Sequence, residues 1–106
     1  MLRVFIGETN RYHGKVLYEA IVLKARELGL AGATVIRGIM GFGADSRLHT
    51  AKLLELSNNL PVIIEIVDEE ENLRKIMPFL DEAVQDGLVT LEKASIVLYR
   101  SGRKKV

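Results

Sequence analysis

No cysteine and no tryptophan occur anywhere in the 106 residues. The first absence excludes a disulfide framework and thiolate metal sites. An excess of charge of one sign is missing too, since fifteen lysines and arginines against fourteen acids leave a formal charge of +1. That balance creates no field of the kind that gathers nucleic acid or an anionic membrane surface. No apolar run approaches the roughly 18 residues of a membrane span. Internal repeats and low-complexity segments are lacking. The opening "MLRVFIGE" reads as a short strand without the charged-then-apolar layout of a signal peptide, so the expected compartment is the cytoplasm.

What is present describes a single globular domain over residues 1–106. Hydrophobic residues make up 48% and charged residues 27%, enough for one modest core and too apolar for disorder. Leu2–Glu8 is β-rich and stops at a glycine, which predicts a strand, and "TNRYHG" after it predicts a turn. From Lys15 to Leu28, Leu17, Ala20, Ile21, Ala25 and Leu28 fall at helical spacing, with Gly29 as the stop. Ala33–Gly41 predicts a second strand and Leu60–Glu69 a third, with Pro61 tolerable only near its start. Asp68 is the expected N-cap of a second helix, with Glu69–Glu71 in the first turn, where the dipole favours acids. Leu73, Ile76, Met77, Leu80 and Val84 form its apolar stripe, and Pro78 should kink or restart it. After a turn at Gln85–Gly87, Leu88–Arg100 predicts a long fourth strand.

The order β-α-β-β-α-β implies a ferredoxin-like α+β sandwich: a four-stranded antiparallel sheet with two helices on one face. The other face then has no helix to cover it. The strands carry aliphatics such as Val4, Ile6, Val35, Ile64, Val89 and Leu91, of which alternation hides about half. A bare apolar sheet face predicts a partner subunit. The connection over residues 44–59 is long for a small domain, which suggests a flexible functional loop. "RSGRKKV" at 100–106 is expected to be a solvated basic tail, from about residue 101.

The chemistry-bearing motifs thin out quickly. "RGIMGFG" spaces its glycines G-x-x-G-x-G and precedes no helix, so the dinucleotide fingerprint fails; no Gly-Lys-Ser/Thr makes a P-loop. "GFGAD" lacks the further aromatics of an RNA-recognition strand. His13 and His49 have no evident partner, and nothing nominates a nucleophile, so enzymatic activity is not expected. Gly38, Gly41 and Gly43 remain. Backbone N–H groups in glycine-permitted conformations would form an anion-binding nest, and Arg47 in the adjoining loop suits a phosphate.

"FIGE", "TVIRGIMGFG", "RLHTAKLLELS", "LPVIIEIVDEEE" and "DGLVTLE" together resemble, over nearly the full length, the PII-like proteins of domain-of-unknown-function family 190 (UPF0166 type). Their fold is similar to that of nitrogen-regulatory PII signalling proteins. The resemblance implies a homotrimer that binds adenine nucleotides in clefts between subunits, with a long loop after strand two reporting the ligand to a target. In PII proteins a glycine-phenylalanine-glycine at the loop base approaches the phosphates, matching Gly41, Phe42 and Gly43. An isoleucine-glutamate pair near the adenine matches Ile64 and Glu65. An arginine-threonine-glycine that contacts phosphate resembles Arg100, Ser101 and Gly102. The aspartate-glycine-lysine before strand four survives as Asp86 and Gly87, with Leu88 replacing the lysine. Leu98 stands where PII proteins carry another arginine, and the loop lacks a tyrosine for uridylylation.

Two missing cations weaken a triphosphate most, because each charge-assisted contact is worth roughly 1.5–3 kcal/mol. The expectation is therefore a non-enzymatic PII-like regulator that favours AMP, cyclic AMP or ADP over ATP. Gly38, Gly41 and Gly43 would admit the phosphate, Arg37, Arg47 and Arg100 would neutralise it, and Glu65 would accept from the adenine amino group. Its partners would be two further copies of itself and a target protein such as a membrane transporter or an enzyme, with no nucleic acid and no tightly held cofactor. The alternatives are a trimeric metal-binding protein of CutA type, using His13 or His49 with Asp45, and a structural trimer without ligand.

Overall fold

Leu2, Val4 and Ile6 alternate with Arg3, Phe5 and Gly7 along strand β1 (Leu2–Gly7), and the first three are buried. A computed structural model of the chain describes residues 1–43, 49–50 and 59–102. Val62, Ile64 and Ile66 repeat the pattern on β7 (Pro61–Ile66). The two strands pair antiparallel with Leu2 opposite Ile66, Val4 opposite Ile64 and Ile6 opposite Val62. Three apolar rungs therefore share one face of the sheet.

Between them come a hairpin, β2 (Arg11–Tyr12) and β3 (Lys15–Val16), then helix α1 (Leu17–Glu27). The hairpin turn holds His13 at φ 50° and Gly14 at φ 78°, the pair of positive angles that a tight two-residue turn requires. The Leu17 N–H donates to the Asn10 carbonyl at 2.8 Å, which satisfies one of the orphan donors at the helix start. The expected helix over Lys15–Leu28 thus begins two residues later, because Lys15 and Val16 belong to the hairpin.

Strand β4 (Thr34–Arg37) pairs with β7, and β8 (Leu88–Leu91) with β1, giving the order β4-β7-β1-β8. The second helical segment runs as α2 (Glu70–Leu73), a 3-10 turn at Arg74–Ile76 and α3 (Met77–Ala83). Pro78 sits in the first turn of α3, where its missing N–H costs nothing, and the break it forces is the 3-10 turn ahead of it. Leu17, Ile21, Ala25, Leu73, Ile76, Leu80 and Ala83 close over the inward residues of β1 and β7. This is the ferredoxin-like α+β fold.

Three sequence expectations are corrected. The fourth strand ends at Leu91 instead of Arg100, because its ladder to β1 is used up: Leu91 faces Leu2, and Glu92 exchanges bonds with the Met1 backbone. Among the described residues no strand runs alongside residues 93–100. The second strand breaks after Arg37, where Gly38 donates to the Pro61 carbonyl at 2.7 Å; β5 (Met40–Gly41) pairs instead with β6 (His49–Thr50). The expected loop over 44–59 therefore contains a short strand, while residues 44–48 and 51–58 lie outside the described residues. Finally, Glu69, not Asp68, occupies the N-cap position.

Asp68 holds two connections together instead. Its carboxylate accepts from the Glu69 N–H at 2.7 Å, the Asn72 amide at 3.0 Å and, across the fold, the Ala31 N–H at 3.0 Å. The Asn72 hydrogen bond, helped by the two backbone donors, lowers its pKa below the ordinary aspartate value. A depressed carboxyl pKa contributes stability that is present above the unfolded-state value and lost as pH falls through the folded-state one. Urea unfolding should accordingly show stability dropping on acidification below about pH 4, with a shallower drop in Asp68→Asn. By the same measurement, Ile64→Ala should cost about 2–5 kcal/mol, since it empties the centre of the β1–β7 ladder.

Candidate functional site

At the end of the sheet where Gly7 faces Pro61, the chain forms a cleft of about 290 Å³. One wall is the run from Gly38 to Gly43 and the other is Asp86–Gly87 with Asn10; Pro61 and Ile63 lie between. Both walls are fixed by backbone contacts. Asn10 reaches the Asp86 carbonyl through its side-chain amide at 3.4 Å, and the Asn59 carboxamide accepts from the Thr9 N–H at 2.9 Å. A side chain at Gly87 would put its Cβ 2.5 Å from the Phe5 carbonyl oxygen, so only glycine lets this loop lie against β1.

The glycines of "RGIMGFG" have a different cause from the one the sequence suggested. A Cβ at Gly38 would stand 2.8 Å from the Pro61 ring, and one at Gly41 3.1 Å from it. Among the described residues, glycine has a left-handed φ only at Gly14 and Gly29. The expected anion-binding nest at Gly38, Gly41 and Gly43 is therefore not formed, since a nest needs alternation into that region. What lies against the backbone at Gly38 and Gly41 is this chain's own proline. Gly43 differs: nothing stands within 4 Å of its would-be Cβ.

The cleft gathers Gly38, Gly41, Phe42, Gly43 and Gly87. Phe42 is 69% exposed, which leaves its ring free to stack. The other expected residues stand elsewhere in the chain. Arg37 is in register with Val62, on the helix-side face, and pairs with Glu8 at 2.5 Å. Ile64 is fully buried beneath the helices, so its side chain does not reach the cleft. Glu65 pairs with Arg3 at 2.9 Å and borders a second groove, beneath residues 94–99. Arg100 follows that segment, whose Tyr99 hydroxyl meets the Ala31 carbonyl at 3.4 Å, at the sheet end away from the cleft. Arg47 lies outside the described residues.

Asn10, Asn59 and Pro61 contribute to the cleft without having been singled out. Asn10 falls within the predicted turn over residues 9–14 and Asn59 at the end of the predicted loop over 44–59, and an asparagine in a turn or loop reads as turn chemistry before it reads as a ligand contact. Among the described residues, Asp86 is the one ionisable residue that lines the cleft. Of the candidate metal ligands, His13 sits 3.8 Å from Glu82 in the hairpin turn, His49 pairs through its backbone with Gly41, and Asp45 lies outside the described residues. Among the described residues no three histidines or acids group as a metal site.

The two kinds of glycine are separable by substitution. Gly87→Ala should lower the thermal midpoint substantially, because backbone has to move to relieve the clash. Gly43→Ala should shift it by no more than a degree or two. Equal midpoints in circular-dichroism melts would contradict the close approach at Gly87.

Residues 1–96 match the model of the DUF190 family, described as "Uncharacterized ACR". A UPF0166 protein of Aquifex aeolicus is 39% identical over 99 residues, covering 92% of this chain and 91% of the relative. A UPF0166 protein of Methanocaldococcus jannaschii is 36% identical over 92 residues, 86% of this chain and 84% of its own. A further Aquifex aeolicus UPF0166 protein is 33% identical over 78 residues, 74% of this chain and 81% of the relative. Among the described residues no helix is long and apolar enough to cross a membrane. With the family model matched over residues 1–96 and a relative 39% identical over 92% of the chain, the chain belongs to the DUF190 family.

Proposed function

We propose that this protein is a PII-like regulator that binds an adenine nucleotide with few phosphates, namely AMP, cyclic AMP or ADP in preference to ATP, at the Gly38–Gly43 cleft. The observation that carries this reading is the meeting of Gly41, Phe42 and Gly43 with Asp86 and Gly87 around one space, although some forty residues separate them in the chain. Its volume of about 290 Å³ is at the small end of ligand pockets, roughly 300–1,000 Å³. The Phe42 ring suits a flat base, and Asp86 as the sole ionisable lining residue among those described disfavours a dense run of phosphates.

The site is completed between subunits of a homotrimer. Arg100 and Glu65 stand away from the cleft of their own chain, so they serve it only from a neighbouring copy. The signalling role rests on connectivity: Gly43 and Asn59, which flank residues 44–58, both line the cleft. A ligand there touches both anchors of the loop, and loop 44–59 reports occupancy to a target protein through differential contacts in the bound state. No chemistry is performed on the nucleotide.

Thermal unfolding against AMP, cyclic AMP, ADP, ATP with magnesium, GTP and divalent metals tests this directly. A ligand at a hundred times its Kd adds about 2.7 kcal/mol, which moves the midpoint of a domain this size by roughly 10 °C or more. AMP or cyclic AMP should give the largest rise. Gly43→Val should abolish the rise while leaving the unliganded midpoint in place, since the space at that Cβ is open. A preference for ATP with magnesium would refute the charge argument, and no shift with any adenine nucleotide would remove the reading altogether.

A further inference from the structure

The hydrogen bonds around the cleft decide which of its polar atoms remain open. The Thr9 N–H can only donate, so the Asn59 atom 2.9 Å from it is the carbonyl oxygen Oδ1. The Asn59 Nδ2 then keeps both its N–H groups, with no acceptor for them among the described residues. This amide is wedged beside Gly7, where a Cβ would collide with it. At Asn10 the assignment runs the other way. The Asp86 backbone carbonyl can only accept, so Nδ2 is the atom that reaches it at 3.4 Å, and Oδ1 is left open. The Asn10 backbone is tied on both sides, its N–H to the Gly7 carbonyl at 3.2 Å and its carbonyl to the Leu17 N–H at 2.8 Å.

Asp86 adds two carboxylate oxygens to the same wall, and among the described residues no donor meets them. Its backbone is held by Asn10 and by the close approach of Gly87 to the Phe5 carbonyl. The wall therefore presents three open acceptor atoms on fixed backbone, and a ligand has to bring donors to it. A phosphate brings none and is repelled by the carboxylate. The ribose brings two neighbouring hydroxyls, the one adjacent pair of O–H donors in an adenine nucleotide. The flat base takes the Phe42 ring on the opposite wall, which leaves the wall of Asn10 and Asp86 to the sugar.

We propose that Asp86, helped by Asn10, holds the 2′- and 3′-hydroxyls of the ribose, so that the cleft distinguishes ribonucleotides from their deoxy forms. The inference rests on the adenine-nucleotide reading above and adds which part of the ligand is recognised. An acidic side chain does the same at the ribose of dinucleotide folds, because an ionised acceptor bonds a hydroxyl more strongly than a neutral one. The same charge turns the phosphate away from Asp86. It is directed toward Gly43, where a Cβ would meet nothing within 4 Å, and toward the open N–H groups of Asn59. Cyclic AMP has its 3′ oxygen esterified and keeps a single hydroxyl, so this cleft prefers AMP to cyclic AMP.

Isothermal titration with AMP, 2′,3′-dideoxy-AMP, cyclic AMP and inosine monophosphate tests it, on the unaltered chain and on Asp86→Ala. Circular-dichroism melts confirm that the variant folds. The unaltered chain should bind AMP roughly tenfold or more tighter than the dideoxy form, the worth of one charge-assisted hydrogen bond, with cyclic AMP between them. In Asp86→Ala that ratio should fall to about threefold or less, because the neutral Asn10 acceptor alone remains. The ratio of AMP to inosine monophosphate should be the same in both proteins, since the base is not touched. Equal binding of AMP and its dideoxy form by the unaltered chain overturns the proposal and leaves the adenine-nucleotide reading standing. A sugar preference that persists in Asp86→Ala overturns it as well. So does a variant that loses only the preference for AMP over inosine monophosphate, which would assign Asp86 to the adenine amino group. If the unaltered chain binds no adenine nucleotide, the reading and the proposal fall together.

Discussion

Everything in this fold hangs from the ladder between β1 and β7. Its three inward rungs, Leu2–Ile66, Val4–Ile64 and Ile6–Val62, are the surface on which both helical segments close, and all six side chains are buried. Pairing and burial specify each other here. A slip of one residue would turn Arg3 and Glu65 under the helices and push Ile64 into solvent. With the register fixed, the outward residues are fixed as well. Ile36, Ile63, Phe5 and Leu88 line up across four strands on the open face, and Thr34, Glu65, Arg3 and Thr90 form the adjacent row.

Pro61 converts that register into a cleft. As the first residue of β7 it needs no ladder N–H, and its carbonyl still accepts from Gly38. Its ring occupies the volume that side chains at 38 and 41 would need. The strand leaving Arg37 can therefore cross close over the sheet end and turn back, with Met40 and Gly41 pairing to Thr50 and His49. Opposite, Gly87 lies against the Phe5 carbonyl. The space between these two approaches is the cleft. It is a packing consequence of one proline and three glycines before it is anything else.

The strands, the helical segments, their order along the chain and the covered face were legible in the sequence because alternation with period two and helical stripes are local signals. Leu2, Val4 and Ile6, or Leu73, Ile76 and Leu80, announce their own burial. The glycine run announced a close approach, but not by what. The sequence distance from Gly38 to Pro61 hid the fact that both belong to one corner, so the signal was assigned to a ligand and a nest. Residues 92–100 misled in the opposite way. Their β-forming composition is real, yet a strand exists only against a partner, and composition does not say whether one is available. Ile64, Glu65 and Arg100 came from a resemblance, which carries residue types and not orientations, and Arg37 from its place beside the glycine run; the register then turned Ile64, Glu65 and Arg37 to other faces of the chain.

Arg3 explains why the segment beyond β8 leaves the sheet where it does. Its guanidinium pairs with Glu65 on the neighbouring strand and with Glu92 just past the end of β8. The Glu65 hydrogen bond, with both carboxylates nearby, raises its pKa further above the usual range. Both pairs are partly solvated, and pairs of that kind add little to stability. Their effect is positional. Arg3 and the Met1 backbone hold Glu92 from two directions, so the chain is pinned at the last point where β1 can pair with it. Beyond this point the described ties are few until Tyr99. The segment is thus fixed at its root by Glu92 and at its far end by Tyr99. The sheet needs only Leu88–Leu91 to complete its fourth strand, and the contacts among the described residues leave Ile96, Val97 and Leu98 exposed.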